Sequence, residues 1–315
     1  MKSTKFFALA LVAVFLYACE KEQAVMENPE DESAIVQKDA LYKGASSSHS
    51  FIVVSRGNSL PGNLENDIAA AGGTILGTIP DIGLALVQSD NPDFTVQGTK
   101  IKGIGAIVPN LTSMYLDPDA RRESITIDAG NPPTSGDDDY LFDLQWGHDA
   151  IDAPEAWEAG YRGEGARVGI LDTGFDLDHP DLVSNINFDL SVDMTGEGLQ
   201  YTYPDAFSHG THTAGTVAAA DNAFGTIGIA PEAELVLIKV LYDEGVGSLY
   251  DILDGIVYAA LVDCDVINMS IGSDFFKSGN PEEGYTARDA AWYKNIYDRA
   301  VTFAYQNGTT VIASA

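Results

Sequence analysis

At 315 residues and 45% hydrophobic composition, the chain has room for about two domains and a sizeable buried core. A net charge of −30 argues against nucleic acid, whose phosphates recruit Lys and Arg clusters, and it disfavours anionic membrane surfaces for the same reason. Two cysteines, Cys19 and Cys264, are too few for a disulfide framework.

The chain opens on a targeting segment. Lys2 and Lys5 precede an apolar run from Phe6 to Tyr17, the layout of a secretory signal peptide. That run is shorter than the roughly 20 apolar residues a membrane span needs. Leu16-Tyr17-Ala18-Cys19 resembles a bacterial lipobox. The resemblance implies lipidation of Cys19, an exported lipoprotein anchored at the periplasmic or outer surface, and a solitary Cys264. The competing reading is an ordinary signal peptide with a cysteine near its cleavage site. Residues 20–49 are acidic, then Ser-rich, without periodicity, and read as a flexible tether.

Residues 50–116 change character. Phe51 to Val54 is strand-like, and Leu64, Ile68 and Ala71 share a helical face that Gly72-Gly73 closes. Thr74 to Ile79 and Gly83 to Val87 read as strands around a Pro80-Asp81 turn. A weaker helix over Phe94 to Ile101 and a strand near Gly105 to Val108 complete a β-α-β-β-α-β order, that of a small ferredoxin-like α+β unit. Residues 117–139, with Arg121-Arg122, Pro132-Pro133 and Asp137-Asp138-Asp139, read as an exposed linker open to proteolytic processing.

From residue 140 to 315 strands and helices alternate, as in a doubly wound, mostly parallel α/β sheet. A short helix starts at Ala153-Pro154, and an apolar strand from Arg167 to Leu171 ends on Asp172-Thr173-Gly174. A helix follows His209, a strand covers Leu235 to Val240, and a helix runs from Leu249 to Val262. Its residues Leu249, Ile252, Leu253, Ile256, Val257 and Ala260 keep the spacing of a buried face. Val266 to Met269, Ala287 to Gln306 and Thr310 to Ala313 supply a strand, a long helix and a last strand.

Ligands of an open α/β sheet bind beyond the carboxyl ends of its strands, which is where Asp172 stands. Taken alone, such an aspartate is an ordinary turn former. The string Gly174-Phe175-Asp176-Leu177-Asp178-His179-Pro180-Asp181-Leu182, together with Ser208-His209-Gly210-Thr211-His212, resembles the subtilisin-like serine proteases, or subtilases. The resemblance implies a hydrolase with an Asp-His-Ser triad, in which Asp172 orients His209 and His209 serves as base. His212 and His179 are then structural. A zinc pair at His209 and His212 is excluded, because the glutamate of H-E-x-x-H is missing and the spacing is three rather than four.

Further segments carry the same resemblance. Lys239 to Ser248, with Gly245 and Gly247, is similar to one substrate-binding edge of the family, and Ser270-Ile271-Gly272 to the other. The cleft between them implies protein or peptide substrates, and the 50–116 unit resembles the inhibitor-type propeptide, implying a chaperone and tethered inhibitor. The loop from Ala220 to Pro231 resembles a structural Ca²⁺ loop, with Asn222 and Asp181 as oxygen donors. The N-terminal ligand of that site is unmatched, since Phe142 holds its position beside Asp143. Cys264 reads as a buried structural thiol without basic neighbours.

Thr310 to Ala315 resembles the strand leading to the oxyanion-hole asparagine, but no serine in these 315 residues has the context of the family's nucleophile. Two expectations follow from that. One is a lipid-anchored, propeptide-inhibited endopeptidase whose serine is not in this chain, so that the chain alone is inactive. The other is a non-catalytic lipoprotein that binds peptides or inhibits proteases.

Overall fold

The computed structural model describes residues 49–116, 139, 141–202 and 208–314, all within one unit, Gly44–Ala315. The leader with Cys19, nearly all of the expected tether and nearly all of the expected linker lie outside the described residues.

The first elements are β1 (Ser50–Ser55), α1 (Leu64–Ala70), β2 (Thr74–Ile79), β3 (Leu84–Gln88), α2 (Phe94–Gly98) and β4 (Ile104–Pro109). They build an antiparallel sheet in the order β2-β3-β1-β4, the ferredoxin-like arrangement. Alternation along β1 divides its side chains between two cores. Phe51 and Val53 join Leu64, Ile68 and Phe94 beneath the sheet's own helices. Ile52 and Val54 face the other way and join the core of the second half of the chain.

The strand β5 (Thr112–Met114) leaves this sheet altogether. It was not legible as a strand, because its partner lies over 130 residues further on. Next come α3 (Trp146–Ala150), α4 (Ala153–Glu158), β6 (Arg167–Asp172), β7 (Val192–Asp193), α5 (His209–Ala218), β8 (Glu234–Lys239) and β9 (Val246–Ser248). The chain continues with α6 (Leu249–Leu261), β10 (Val266–Met269), the short pair β11 (Gly279–Asn280) and β12 (Tyr285–Thr286), α7 (Ala287–Gln306) and β13 (Thr310–Ala313).

Five of these strands form a parallel sheet ordered β13-β10-β6-β8-β7. Beyond its first residue, β6 is buried along its whole length, as a strand covered on both faces must be. Val168 and Ile170 share a core with Ala214 and Ala218 of α5, whereas Leu171 lies against α6 in the other core. The chain fills one side of β6 with β7 and β8 and the other with β10 and β13. That reversal opens a crevice at the carboxyl ends of β6 and β10.

The antiparallel sheet closes over α6 and α7. Arg299 donates to the carbonyls of Ser55 at 3.1 Å, Gly57 at 2.9 Å and Ile82 at 3.2 Å. The Tyr293 hydroxyl donates to Pro109 O at 3.0 Å, and the Tyr250 amide to Asn110 Oδ1 at 3.1 Å. These contacts fix the sheet's orientation, while the shared apolar core supplies the burial.

A buried ion cluster braces the crevice. Lys239, fully buried at the end of β8, pairs with Asp243 and, at 2.9 Å, with Glu197. Asp243 also accepts the Gly174 amide at 3.2 Å and the Thr202 amide at 2.8 Å, so the cluster ties the turn after Asp172 to the loop before α5. Such a cluster costs desolvation and adds little net stability, but loss of one member would strand the others.

On α6 the six residues expected to face the core are all buried. Asp251 and Asp254 sit at its partly covered flank, where burial pushes both carboxyls up to about 6. A carboxyl whose folded value lies above its ordinary value of 3.8 binds its proton more tightly when folded, so it destabilises the fold above pH 6 and has no effect well below 3.8. Asp254→Asn should therefore raise unfolding free energy by about 1 kcal/mol at pH 7, after allowance for screening at a half-exposed site. Urea unfolding at pH 7 and pH 3 should show that gain vanish at the lower pH; an equal gain at both would contradict the assignment.

Candidate active site

The crevice brings together Asp172 and His209, which come from different elements and lie 37 residues apart. Asp172 ends β6 and is fully buried. His209 is the first residue of α5, whose N-cap Ser208 accepts the Thr211 amide at 2.9 Å. The Ser208 hydroxyl donates to Gly174 O at 2.6 Å, which fastens the start of the helix to the turn beyond Asp172.

His209 Nδ1 lies 2.8 Å from Asp172 Oδ1 and 2.9 Å from Oδ2. An ionised carboxylate can only accept, so Nδ1 carries the proton and Nε2 keeps its lone pair. The histidine side chain is 29% exposed, so this second nitrogen belongs to a ring that solvent and ligands reach. A buried carboxylate, an oriented imidazole and an accessible basic nitrogen are an arrangement that can act as a general base.

His212 and His179 stand elsewhere. His179 Nδ1 accepts the Asp181 amide at 3.2 Å within its own turn. Both line a cavity of about 710 Å³ on the other side of α5, which includes neither Asp172 nor His209.

The two expected substrate edges enclose a segment of the chain itself. β5 pairs antiparallel with β9, placing Ser113 opposite Gly247. The Tyr115 amide donates to Gly245 O at 2.9 Å, and the Gly272 amide donates to Tyr115 O at 3.2 Å. Residues 112–115 thus add a strand between the two edges. Gly245 has φ of +86° and presses against Leu116, a place where a side chain would be both strained and in collision. Ile271 is buried and lines a cavity of about 300 Å³ with Leu249, Ile252, Tyr297 and Tyr115. Burial pushes the Tyr115 phenol well above its ordinary range. Ser270 is partly buried, and its hydroxyl accepts from Asn268 Nδ2 at 3.0 Å.

The loop around Asn222 closes on two buried carboxylates. Asp181 Oδ2 accepts the Thr226 amide at 3.1 Å, and its Oδ1 lies 3.4 Å from Asn222 Nδ2. Asp139 Oδ1 accepts the Phe224 amide at 2.9 Å. Gly225, at φ +65°, lies so close to Asp181 that any Cβ would occupy the carboxylate's place. By donor type two carboxylates and an amide suit Ca²⁺ rather than zinc, but in this structure the amide turns its nitrogen to Asp181 and its oxygen to the Phe224 amide at 3.0 Å. The Phe142 side chain carries no oxygen donor and packs into an apolar cluster with Ala153, Trp157 and Ile227. Asp143 is exposed.

Sequence reading missed Asp139, which ends an acidic run and had no visible partner. It also missed Thr213, although a residue four positions after His209 shares its helical face. The buried state of Lys239 could not be read at all, since Asp243 and Glu197 reach it from separate loops. Cys264 is buried, and burial pushes its thiol up to about 12, leaving no nucleophile there.

Residues 163–315 match the Subtilase family. The chain is 44% identical over 126 residues to an intracellular serine protease of Paenibacillus polymyxa, covering 40% of this chain and 38% of that protein. It is 36% identical over 177 residues to subtilisin E of Bacillus subtilis, covering 56% of this chain and 41% of that protein. The chain thus spans less than half the length of either relative. In fold it is similar to the epidermin leader peptide processing serine protease of Staphylococcus aureus, with a TM-score of 0.62 at 18% identity, over 85% of this chain and 60% of that one. The motifs, the parallel sheet with its crevice and these relatives converge, and residues 163–315 belong to the subtilase family.

Proposed function

We propose that this chain is part of a serine endopeptidase in which Asp172 orients His209 and His209 draws the proton from a serine attacking the peptide carbonyl. The observation that carries the reading is the contact of His209 Nδ1 with both oxygens of the buried Asp172. As the serine attacks, His209 Nε2 takes its proton and the buried carboxylate stabilises the resulting imidazolium. The imidazolium then returns the proton to the leaving amine. Ser208 and Ser270 are not the nucleophile, because the first caps α5 and the second belongs to a substrate edge. We assign the nucleophile to a serine outside these 315 residues, so the chain alone forms no acyl-enzyme.

Residues 50–116 act as the propeptide. Their strand β5 and Tyr115 hold the place of a substrate between Gly245, Gly247 and the Ser270-Ile271-Gly272 edge, which blocks the cleft until the segment is cut away. In the protein carrying its serine, Asp172→Asn should lower kcat by roughly 10⁴-fold, as expected when the tautomer is lost. His209→Ala should likewise stop propeptide release, read as a persistent precursor band and loss of fluorophosphonate labelling. Normal maturation of either variant without a helper protease would overturn the assignment.

Asp181 and Asn222, with Asp139 beside them, would hold a Ca²⁺ ion, which on binding supplies positive charge that fastens the loop to the turn of Asp181. Millimolar Ca²⁺ should then raise the melting temperature and a chelator should reverse the rise. Asp181→Asn should abolish that response; a response of equal size in this variant would remove the site.

Cys19 carries the lipid that anchors the exported chain to a bacterial membrane, consistent with the apolar run that stops at Ala18. Metabolic labelling with a radioactive fatty acid should mark the native chain and leave Cys19→Ser unmarked. Label on the Ser variant would place the modification elsewhere.

A further inference from the structure

The two oxygens of Asp172 are met by different donors. Oδ1 accepts the Thr173 amide at 2.7 Å, the Thr173 hydroxyl at 3.3 Å and His209 Nδ1 at 2.8 Å. Oδ2 accepts Nδ1 at 2.9 Å and the hydroxyl of Thr213 at 3.1 Å. Among the described residues, Thr213 is the only donor to Oδ2 besides the imidazole.

Thr213 follows His209 by four residues on α5, so both side chains project from one helical face toward the end of β6. It is 7% exposed, so water does not compete freely for its hydroxyl. That hydroxyl has one proton and two acceptors in reach, Asp172 Oδ2 and, at 3.0 Å, Gly210 O. The carbonyl three residues back is the usual acceptor for a threonine inside a helix. A hydrogen bond to a charged acceptor is roughly twice as strong, so the carboxylate takes the proton.

We propose that Thr213 is a positioning residue for the Asp172–His209 pair: its hydroxyl holds Oδ2 and shares the carboxylate's charge, which keeps the carboxylate from rotating and keeps the imidazole Nδ1–H centred between the two oxygens. Each hydrogen bond that a carboxylate accepts weakens it as an acceptor for the next. With Oδ1 held by Thr173 and Oδ2 by Thr213, Nδ1–H sits almost equally between the oxygens. Without the threonine hydroxyl, Oδ2 becomes the stronger acceptor and draws Nδ1–H to itself. The inference rests on the reading of Asp172 and His209 as a working pair.

The test is the Nδ1–H proton resonance of His209 in the full 315-residue chain labelled with ¹⁵N-histidine, assigned by its disappearance in His209→Ala. Thr213→Val keeps the branched shape and removes the donor, and should move the resonance downfield. Thr213→Ser keeps the hydroxyl and should restore the native position. A purely structural threonine would change melting temperature without moving this proton, and serine would give no rescue of its position. Asp172→Asn should displace the resonance whether or not Thr213 contributes. If the Val variant coincides with native while the Asn variant shifts, the role of Thr213 is overturned and the pair stands. If neither moves it, the pair itself is wrong. Should the Val variant not fold, Thr213→Ala makes the same comparison against Thr213→Ser. In the protein with its serine, Thr213→Val should lower kcat about three- to tenfold with KM unchanged, the size expected for one hydrogen bond felt through a neighbour.

Discussion

A carboxylate without solvent contact must be met by fixed donors, and Asp172 is such a group. Its position at the end of β6 brings it the Thr173 amide, the His209 imidazole and the Thr213 hydroxyl. Each of those donors depends in turn on something further out. The start of α5 is tied to the turn through Ser208 and Gly174 O, and the Gly174 amide is held by Asp243, which Lys239 neutralises. The site is therefore a chain of charge compensation running inward from the loops to one oxygen pair. Rigidity of this kind allows an imidazole to keep one tautomer and one direction.

A second constraint comes from the antiparallel sheet. One of its faces is covered by its own two helices, and the other would be bare apolar surface without α6 and α7. Burial of Ile52, Val54, Leu84 and Val108 in the core of the second half makes the two parts one folding problem. Arg299 adds orientation by gathering three carbonyls from the sheet's loops. Residues 112–115 leave this sheet directly after β4 and run along β9.

Much of this was legible in residue order. The β-α-β-β-α-β pattern needed only local periodicity and turn residues, and the parallel half showed itself in apolar strands alternating with helical stripes. Asp172 and His209 were legible because local strings surround each of them. What escaped were contacts between distant positions: β5 has three residues and no alternating pattern, and it is a strand only because β9 lies alongside. Asp139 and Lys239 looked like surface charges until the fold buried them. Thr213 differed from an ordinary helical threonine only by what stood opposite.

By itself, the order of residues determined the class of each half, the identity of the strand-end carboxylate and the helix-start imidazole, and the turns that frame them. These are local properties, written in spacing of two or 3.6 residues and in the conformational limits of glycine and proline. The tertiary structure alone decided which donor meets which oxygen of Asp172, how the acidic and basic groups around Gly174 compensate one another, and what fills the cleft. Those depend on ångström-scale distances between segments far apart in sequence, and desolvation sets their strength only after the chain has closed around them.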